Sequence, residues 1–442
     1  MLNAIGLLRT RRFLPLFVTQ FLGAFNDNLF KTSMVLFATY QIFSDAELES
    51  NFNALATGLS ILPFFLLSAL SGQLADTVDK ARIIRVVKTV EIAIMAVGAG
   101  GLMLAKAGHT HSGMALMLGA IVLLGAHSTF FGPIKYAILP QHLETDEVLA
   151  GTGLVEAGTY LAILSGTVAA GWLSPEATAI AVLAVAGIGW LTGRMVPRAP
   201  RLGPPLTLNF NPLTSSWHLI SATLHIPRLF LAICAISFFW TIGSVLIIVF
   251  PPLAKNYFTA DAGVASLMIA IFSVGVAIGS VVINTMLKGA ISARYAPASV
   301  LGMAAFVVAF SLLARNFHGA GPDALYDVAA FARHPQAGWV ALCLLGVAIT
   351  GGMFVVPLYA FLTTTVTKDQ TARTVAANNV VNAGAMTLGA LAVLGITALG
   401  VGPADMLLLV AAMCLVSAWI AQKLHRACDG HEVVGAAGAR MH

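Results

Sequence analysis

Gln20, Ala24, Asp27 and Lys31 recur at i, i+4, i+7 and i+11 in the stretch FVTQFLGAFNDNLFK. That spacing puts all four on one face of a helix. Asn26 and Asn28 flank the aspartate, and the rest of the stretch is largely apolar. Ionisable groups inside an apolar segment normally face a cavity or a partner rather than lipid. Two chemistries follow. Asp27 and Lys31, one turn apart, can neutralise each other. Alternatively, with two asparagines beside them, they form a hydrated surface that meets a charged or zwitterionic solute, or that works as part of a gate.

A second set lies further along. FGPIKYAIL at 131–139 carries Lys135 two residues after Pro133, and GTGLVEAG at 151–158 carries Glu156. Pro133 has no N–H, so it frees a carbonyl nearby. Lys135 can snorkel to an interface, bind an anion, or pair with Glu156. His127 reads either as a satisfied interior histidine or as a proton site. Asn378, Asn379 and Asn382 offer hydrogen bonds to other helices or to a solute, with Asn378 and Asn382 on one face. Glu91 follows Lys88 by three residues and can pair with it. Trp240, in SFFWTIG, packs or lines an apolar wall.

The elements that hold these side chains follow from composition. The chain is 58% hydrophobic and 10% charged, with a mean hydropathy of +0.88. Soluble domains carry about 25% charged residues. The sequence therefore predicts an all-α membrane protein of twelve transmembrane helices, each near the roughly 20 residues a helical span needs. The runs lie at about 13–43, 53–76, 83–106, 113–138, 148–173, 177–196, 228–255, 263–287, 297–315, 338–364, 374–399 and 403–424. None alternates like a barrel strand. The Pro-rich, polar segment 197–227 divides six spans from six. The expected organisation is two six-helix halves, 1–196 and 228–425, with a linker at 197–227 and a tail at 426–442.

With the N-terminus inside, 18 of the 24 Lys and Arg, Lys88 and Arg440 among them, fall on cytoplasmic segments. Lys106, Lys255, Arg315 and Arg333 fall outside, and 316–337 is the longest outer loop. The positive-inside rule then places both termini and the linker in the cytoplasm. The net charge of +5 sits in short loops and is no nucleic-acid signal. Cys234, Cys343, Cys414 and Cys428 show no CxxC or metal spacing and are expected to be unpaired. No Walker loop, Ser-His-Asp pattern or HExxH is present, so neither an enzyme nor a cofactor is expected.

The chain also contains a faint copy of itself. FGPIKYAIL and GTGLVEAG in the first half match FVVPLYAFL and ANNVVNAG in the second. Pro133 matches Pro357, Tyr136 matches Tyr359 and Gly158 matches Gly384, but Lys135 has no counterpart and Glu156 becomes Asn382. A parallel repeat of this kind suggests two related membrane halves, here charged on one side and neutral on the other.

Between the second and third runs, GQLADTVDKAR at 72–82 resembles the loop signature of the major facilitator superfamily. By that resemblance the loop gates the transporter. Gly72 permits close helix approach, Asp76 accepts hydrogen bonds or caps the positive end of a neighbouring helix, and Lys80 and Arg82 pair with carboxylates when the cytoplasmic side is shut. Asp79 stands where the family usually has glycine.

FLPLFVTQFLGAFNDNLFK at 13–31, FFGPIKYAILPQ at 130–141, GLVEAGTYLAILSGTVAAGWL at 153–173 and the repeat segment at 354–383 resemble the lysophospholipid transporters of that superfamily. The likeness is nearest to the form often fused to an acyltransferase and an acyl-carrier ligase, which here would be separate proteins. The resemblance implies movement of lysophospholipids, such as lysophosphatidylethanolamine, from the outer to the inner leaflet of the bacterial inner membrane for reacylation. It places Asp27, Asn28, Lys135 and Glu156 in functional positions. One departure stands out: WTIGSVLIIVF, in the seventh run, lacks the arginine of the stand-alone branch, and Lys31 is the candidate to replace part of that charge. The expected site adds Asn378, Asn382 and Trp240, with the acyl chain against the seventh and eighth spans or in lipid. A monomer without nucleic-acid partners is expected, and the rival reading is a proton-coupled exporter of amphipathic drugs with Asp27 and Glu156 as proton carriers.

Overall fold

A computed structural model describes residues 4–42, 46–202, 208–319 and 325–438. Arg440, part of the segment 316–337 and part of the linker lie outside them, as does the side chain of Cys428. Apart from one isolated parallel bridge between Ala260 and Tyr326, the regular structure described is helical.

Among the described residues twelve long helices run in order: α1 Leu14–Phe37, α2 Ala46–Thr77, α3 Lys80–Lys106, α4 Thr110–Ala137, α5 Val148–Trp172, α6 Pro175–Met195, α7 Pro227–Asn256, α8 Ala262–Leu287, α9 Ala296–Arg315, α10 Ala337–Thr364, α11 Thr371–Ala398 and α12 Pro403–Gly438. Eleven are long and apolar enough to cross a membrane. The remaining one is α1, with 24 residues. At 1.5 Å per residue it is about 36 Å long, enough for a hydrocarbon core of ~30 Å. Its hydropathy is lowered by the polar face read from the sequence.

Some boundaries differ from the sequence reading. A π-helical turn, Ala38–Ile42, follows α1, and α12 continues past 424 to Gly438. The linker contains a helix of its own, Pro212–Leu224. Pro212 suits the first helical position, and Asn211 Oδ1 caps it by accepting from Thr214 N at 3.2 Å.

The chain divides into two compact units. Met1–Thr223 forms the first with Thr363–Val380, which spans the turn between α10 and α11 and the start of α11; Leu224–Leu362 and Val381–His442 form the second. In the first unit α1 packs on α5 and α6, α3 on α4 and α6, and α2 on α4. Its core includes Leu29, Phe30, Met34, Met95, Ile121 and Val182. Glycines set the closest approaches: a Cβ on Gly98 would stand 2.5 Å from the Phe30 ring, and one on Gly166 would stand 3.1 Å from Leu29 N. In the second unit α12 packs on α7 and α9. One end is filled by aromatic rings, with Phe258 5.0 Å from Phe317 and 6.0 Å from Phe331.

Large apolar side chains such as Ile180, Leu191, Leu388 and Trp419 are exposed. Exposed apolar surface on this scale marks contact with a membrane or partner. Here it belongs to spanning helices whose solvent is the bilayer. Trp190 with Arg194 at the end of α6, and Trp419 with Lys423 within α12, place a cation one turn beyond an indole, the arrangement of interfacial anchors.

Candidate functional site

The polar face of α1 is embedded in the first unit. Asp27 Oδ2 accepts a hydrogen bond from Ser128 Oγ of α4 at 2.6 Å. No Asp27–Lys31 ion pair forms within 4.0 Å, so the self-neutralising pair is not the arrangement adopted. The reason is competition: the hydroxyl of α4 reaches the carboxylate directly, leaving Lys31 half-buried one turn away. Asn28 Nδ2 turns back to Ala24 O of its own helix at 2.8 Å.

Beside Asp27 lies a buried cluster. Lys88 Nζ is 2.5 Å from Glu91 Oε2 with both side chains sealed from solvent. His127 Nε2 lies 3.2 Å from the same oxygen, and Asn26 Nδ2 donates to Glu91 Oε1 at 3.2 Å and to Val182 O at 3.1 Å. The Glu91–Lys88 pairing matches the sequence reading, but Lys88 is not a loop cation. A Cβ on Gly23 would stand 2.8 Å from its Nζ, and one on Gly193 3.3 Å from its Cγ. Those glycines make the channel through which the lysine reaches Glu91. The cluster joins α1, α3, α4 and α6.

Lys135 and Glu156 form a second polar group, though not as a pair. Tyr136 OH donates to Glu156 Oε1, and no Lys135–Glu156 ion pair forms within 4.0 Å. Lys135 Nζ contacts Thr159 Oγ1 at 3.4 Å and lies 4.9 Å from the Tyr136 ring centre. Thr159 Oγ1 in turn donates to Gln20 Oε1 at 3.0 Å. Gln20 Nε2 is buried without a hydrogen-bond partner, as is Glu156 Oε2. Two donors, an ammonium and an amide, therefore stand near one another with unfilled capacity, which suits an anion.

Pro133 explains the local shape of α4. Its missing N–H leaves the carbonyl of Thr129 without its intrahelical donor, and Ser71 Oγ of α2 fills the vacancy at 2.9 Å.

The loop after α2 meets the first turn of α11. Asp76, buried, accepts from Arg373 Nε at 2.7 Å and from Arg373 N at 3.3 Å. Arg373 is in the first turn of α11, so Asp76 does cap the positive end of a helix. Lys80 is buried and Arg82 exposed, and neither makes an ion pair within 4.0 Å among the described residues. Arg373, brought in from the distant turn, is the cation that meets Asp76 here. A Cβ on Gly72 would stand 2.6 Å from Ala376 Cβ, so only glycine permits this approach. Asp79 caps α3, accepting from Ala81 N at 2.9 Å and Ala199 N at 3.1 Å. That accounts for an aspartate in the place of glycine.

In the second unit Ser237 Oγ donates to Asn382 Oδ1 at 2.7 Å, and Trp240 Nε1 donates to Tyr359 OH at 2.8 Å. The repeated tyrosines are both hydrogen-bonded, one to a carboxylate and one to an indole. Asn378 is buried in the part of α11 that belongs to the first unit. Sequence reading missed Ser128, Thr159 and Arg373 as partners. Tyr136 alone carried a signal, as a repeated position.

A family model described as Major Facilitator Superfamily matches residues 16–390. The chain belongs to the Major Facilitator Superfamily. Within the superfamily its relatives include proteins named lysophospholipid transporter LplT. The one from Cronobacter sakazakii is 27% identical over 85% of each chain. The one from Klebsiella pneumoniae subsp. pneumoniae is 28% identical over 80% of this chain and 81% of the relative. The resemblance seen in the motifs is thus the one found along most of the chain. Among solved structures, the human organic anion transporter MFSD10 aligns with a TM-score of 0.70 at 14% identity, covering 93% of this chain and 99% of that one. A bacterial homologue of the iron transporter ferroportin, in an outward-facing state, aligns at 0.69 and 13% identity, covering 94% and 99%. These likenesses establish the superfamily's twelve-helix fold for this multi-pass membrane protein.

Proposed function

We propose that this protein carries lysophospholipids, such as lysophosphatidylethanolamine, from the outer to the inner leaflet of a bacterial inner membrane for reacylation. It does so by alternating access with lateral lipid entry. The carrying observation is Lys135, a cation within α4 that has no carboxylate within 4.0 Å and lies in one hydrogen-bonded chain with Gln20. The names of the relatives support the same reading. Lys135 takes the phosphate, and Asp27 or Glu156 takes the amine. Asn28, Lys31, Asn378, Asn382 and Trp240 complete the proposed substrate contacts. Gly72, Asp76, Lys80 and Arg82 serve the cytoplasmic gate, with Arg373 as the cation that meets Asp76. The protein works as a monomer with both termini in the cytoplasm, and separate enzymes reacylate its product.

The test is uptake of labelled lysophosphatidylethanolamine by cells lacking their own transporter, with and without an uncoupler. Wild-type protein restores uptake, and Lys135→Ala loses it while keeping its expression. Full uptake by that variant would remove the phosphate role. The drug-exporter reading draws on Asp27 Oδ1 and Glu156 Oε2, buried carboxylate oxygens without hydrogen-bond partners. No lysolipid uptake, together with uncoupler-sensitive drug efflux, would put that reading first.

A further inference from the structure

At the end of the first unit assigned to the outer face, α1, α3, α5 and α6 leave a crevice of about 350 Å³. Ser33, Phe37, Gln41, Leu102, Leu173 and Thr178 are on its walls. An apolar cavity of ~150 Å³ already holds benzene, so this one has room for a length of acyl chain. Its walls mix two chemistries. Phe37, Leu102 and Leu173 are apolar. Ser33 Oγ and Thr178 Oγ1 lie 3.4 Å apart, and Gln41 sits on the π-helical turn Ala38–Ile42. Turns of that type are frequent at functional sites. Polar groups at membrane depth normally mark a site rather than a lipid-facing wall.

The surroundings of the crevice carry charge of both signs. Lys106, one turn beyond Leu102, is ion-paired with Glu176, which lies between the lining residues Pro175 and Thr178. Both side chains are roughly half exposed, at 43% and 48%. Exposed pairs of this kind are weak, so another charged group replaces either partner at little loss. Trp172, beside the lining residues Gly171 and Leu173, is 85% exposed, and indoles of this kind settle at the headgroup level. An apolar crevice next to one cation, one anion and an interfacial indole is complementary to a zwitterionic headgroup above a single chain.

We infer that this crevice binds a single-chain zwitterionic phospholipid taken from the outer leaflet. The chain lies between Phe37, Leu102 and Leu173. The phosphate meets Lys106 and the ammonium meets Glu176. The inference rests on the lysophospholipid reading above and gives lateral entry a loading site separate from Lys135. The volume takes a length of one chain, and the single-chain preference is what the competition experiment below reads.

The test uses lysophosphatidylethanolamine with a photoreactive group in its acyl chain, added to the full-length protein in vesicles. Crosslinks are mapped to peptides by mass spectrometry. The expected result is labelling of Phe37–Gln41 or Leu173–Thr178, competed by unlabelled lysolipid and poorly by diacyl lipid. A Cβ at Gly171 meets nothing within 4 Å, so Gly171→Trp fills the crevice without a backbone clash. That variant is expected to lose the crosslink and to raise the half-saturating lysolipid concentration roughly tenfold. Lys106→Gln, checked to unfold thermally at the wild-type temperature, is expected to weaken competition by zwitterionic lysolipid.

Labelling confined to other segments overturns the inference. Equal competition by diacyl lipid, with normal uptake in Gly171→Trp, overturns it as well, because the crevice then holds a structural lipid. If wild-type protein moves no lysolipid while the competed crosslink persists, the transport reading fails and the binding site stands.

Discussion

Ser128 Oγ donates to Asp27 Oδ2 at 2.6 Å, tying the aspartate of α1 to α4 rather than to Lys31 on its own helix. The bond holds a carboxylate in position inside the first unit with its second oxygen free of hydrogen-bond partners. Ser128→Ala removes the donor and leaves the charge unsupported. Lysolipid uptake is expected to fall about tenfold, the equivalent of ~1.4 kcal/mol, with Asp27→Asn falling further. Uptake at the wild-type rate in Ser128→Ala would show that the hydroxyl does not position the charge.

Lys88 and Glu91 form a fully buried pair, and breaking such a pair from one side strands a charge at about 3–5 kcal/mol. Lys88→Met and Glu91→Leu are each expected to lower the apparent Tm of the purified protein sharply. The double variant removes both charges and is expected to recover much of the loss. A double variant as unstable as the sum of the singles would deny that the two residues act as a pair.

Arg373 and Asp76 join a first-turn residue of α11 to the end of α2. Asp76→Asn keeps the shape and weakens two hydrogen bonds made to a charge, each worth about 1.5–3 kcal/mol. Slower uptake is expected in both Asp76→Asn and Arg373→Ala. A double-mutant cycle should give a coupling above about 0.5 kcal/mol, and additive effects would dissociate the two residues. Arg82→Ala, altering an exposed side chain, should change uptake far less.

Ser71 and Pro133 are linked through the Thr129 carbonyl. Ser71→Ala leaves that buried acceptor unsatisfied, at about 1–3 kcal/mol. In a Pro133→Ala background the helix supplies its own N–H, so the same substitution should cost much less. Thermal unfolding of the four proteins measures this directly. An equal penalty in both backgrounds would contradict the arrangement.

Much of this protein is written in its sequence. Apolar runs of spanning length fix helices and membrane, because unsatisfied backbone groups are not tolerated in lipid. The i, i+4, i+7, i+11 face of α1 marks its polar surface, Pro133 announces a free carbonyl, and GQLAD announces the loop at Asp76. The partners were settled only by tertiary packing. Lipid is as apolar as the helix contacts it surrounds, so hydrophobic periodicity does not say which face of a spanning helix points inward. Nothing near Asp76 in the chain points to Arg373, 297 residues away. Nothing near Asp27 points to Ser128, 101 residues away, and Lys31 was the nearer cation by sequence alone. Lys88 reads as a loop lysine until Gly23 and Gly193 bring neighbouring helices close enough to enclose it. Local spacing determined which side chains do chemistry, and helix packing decided which of them meet.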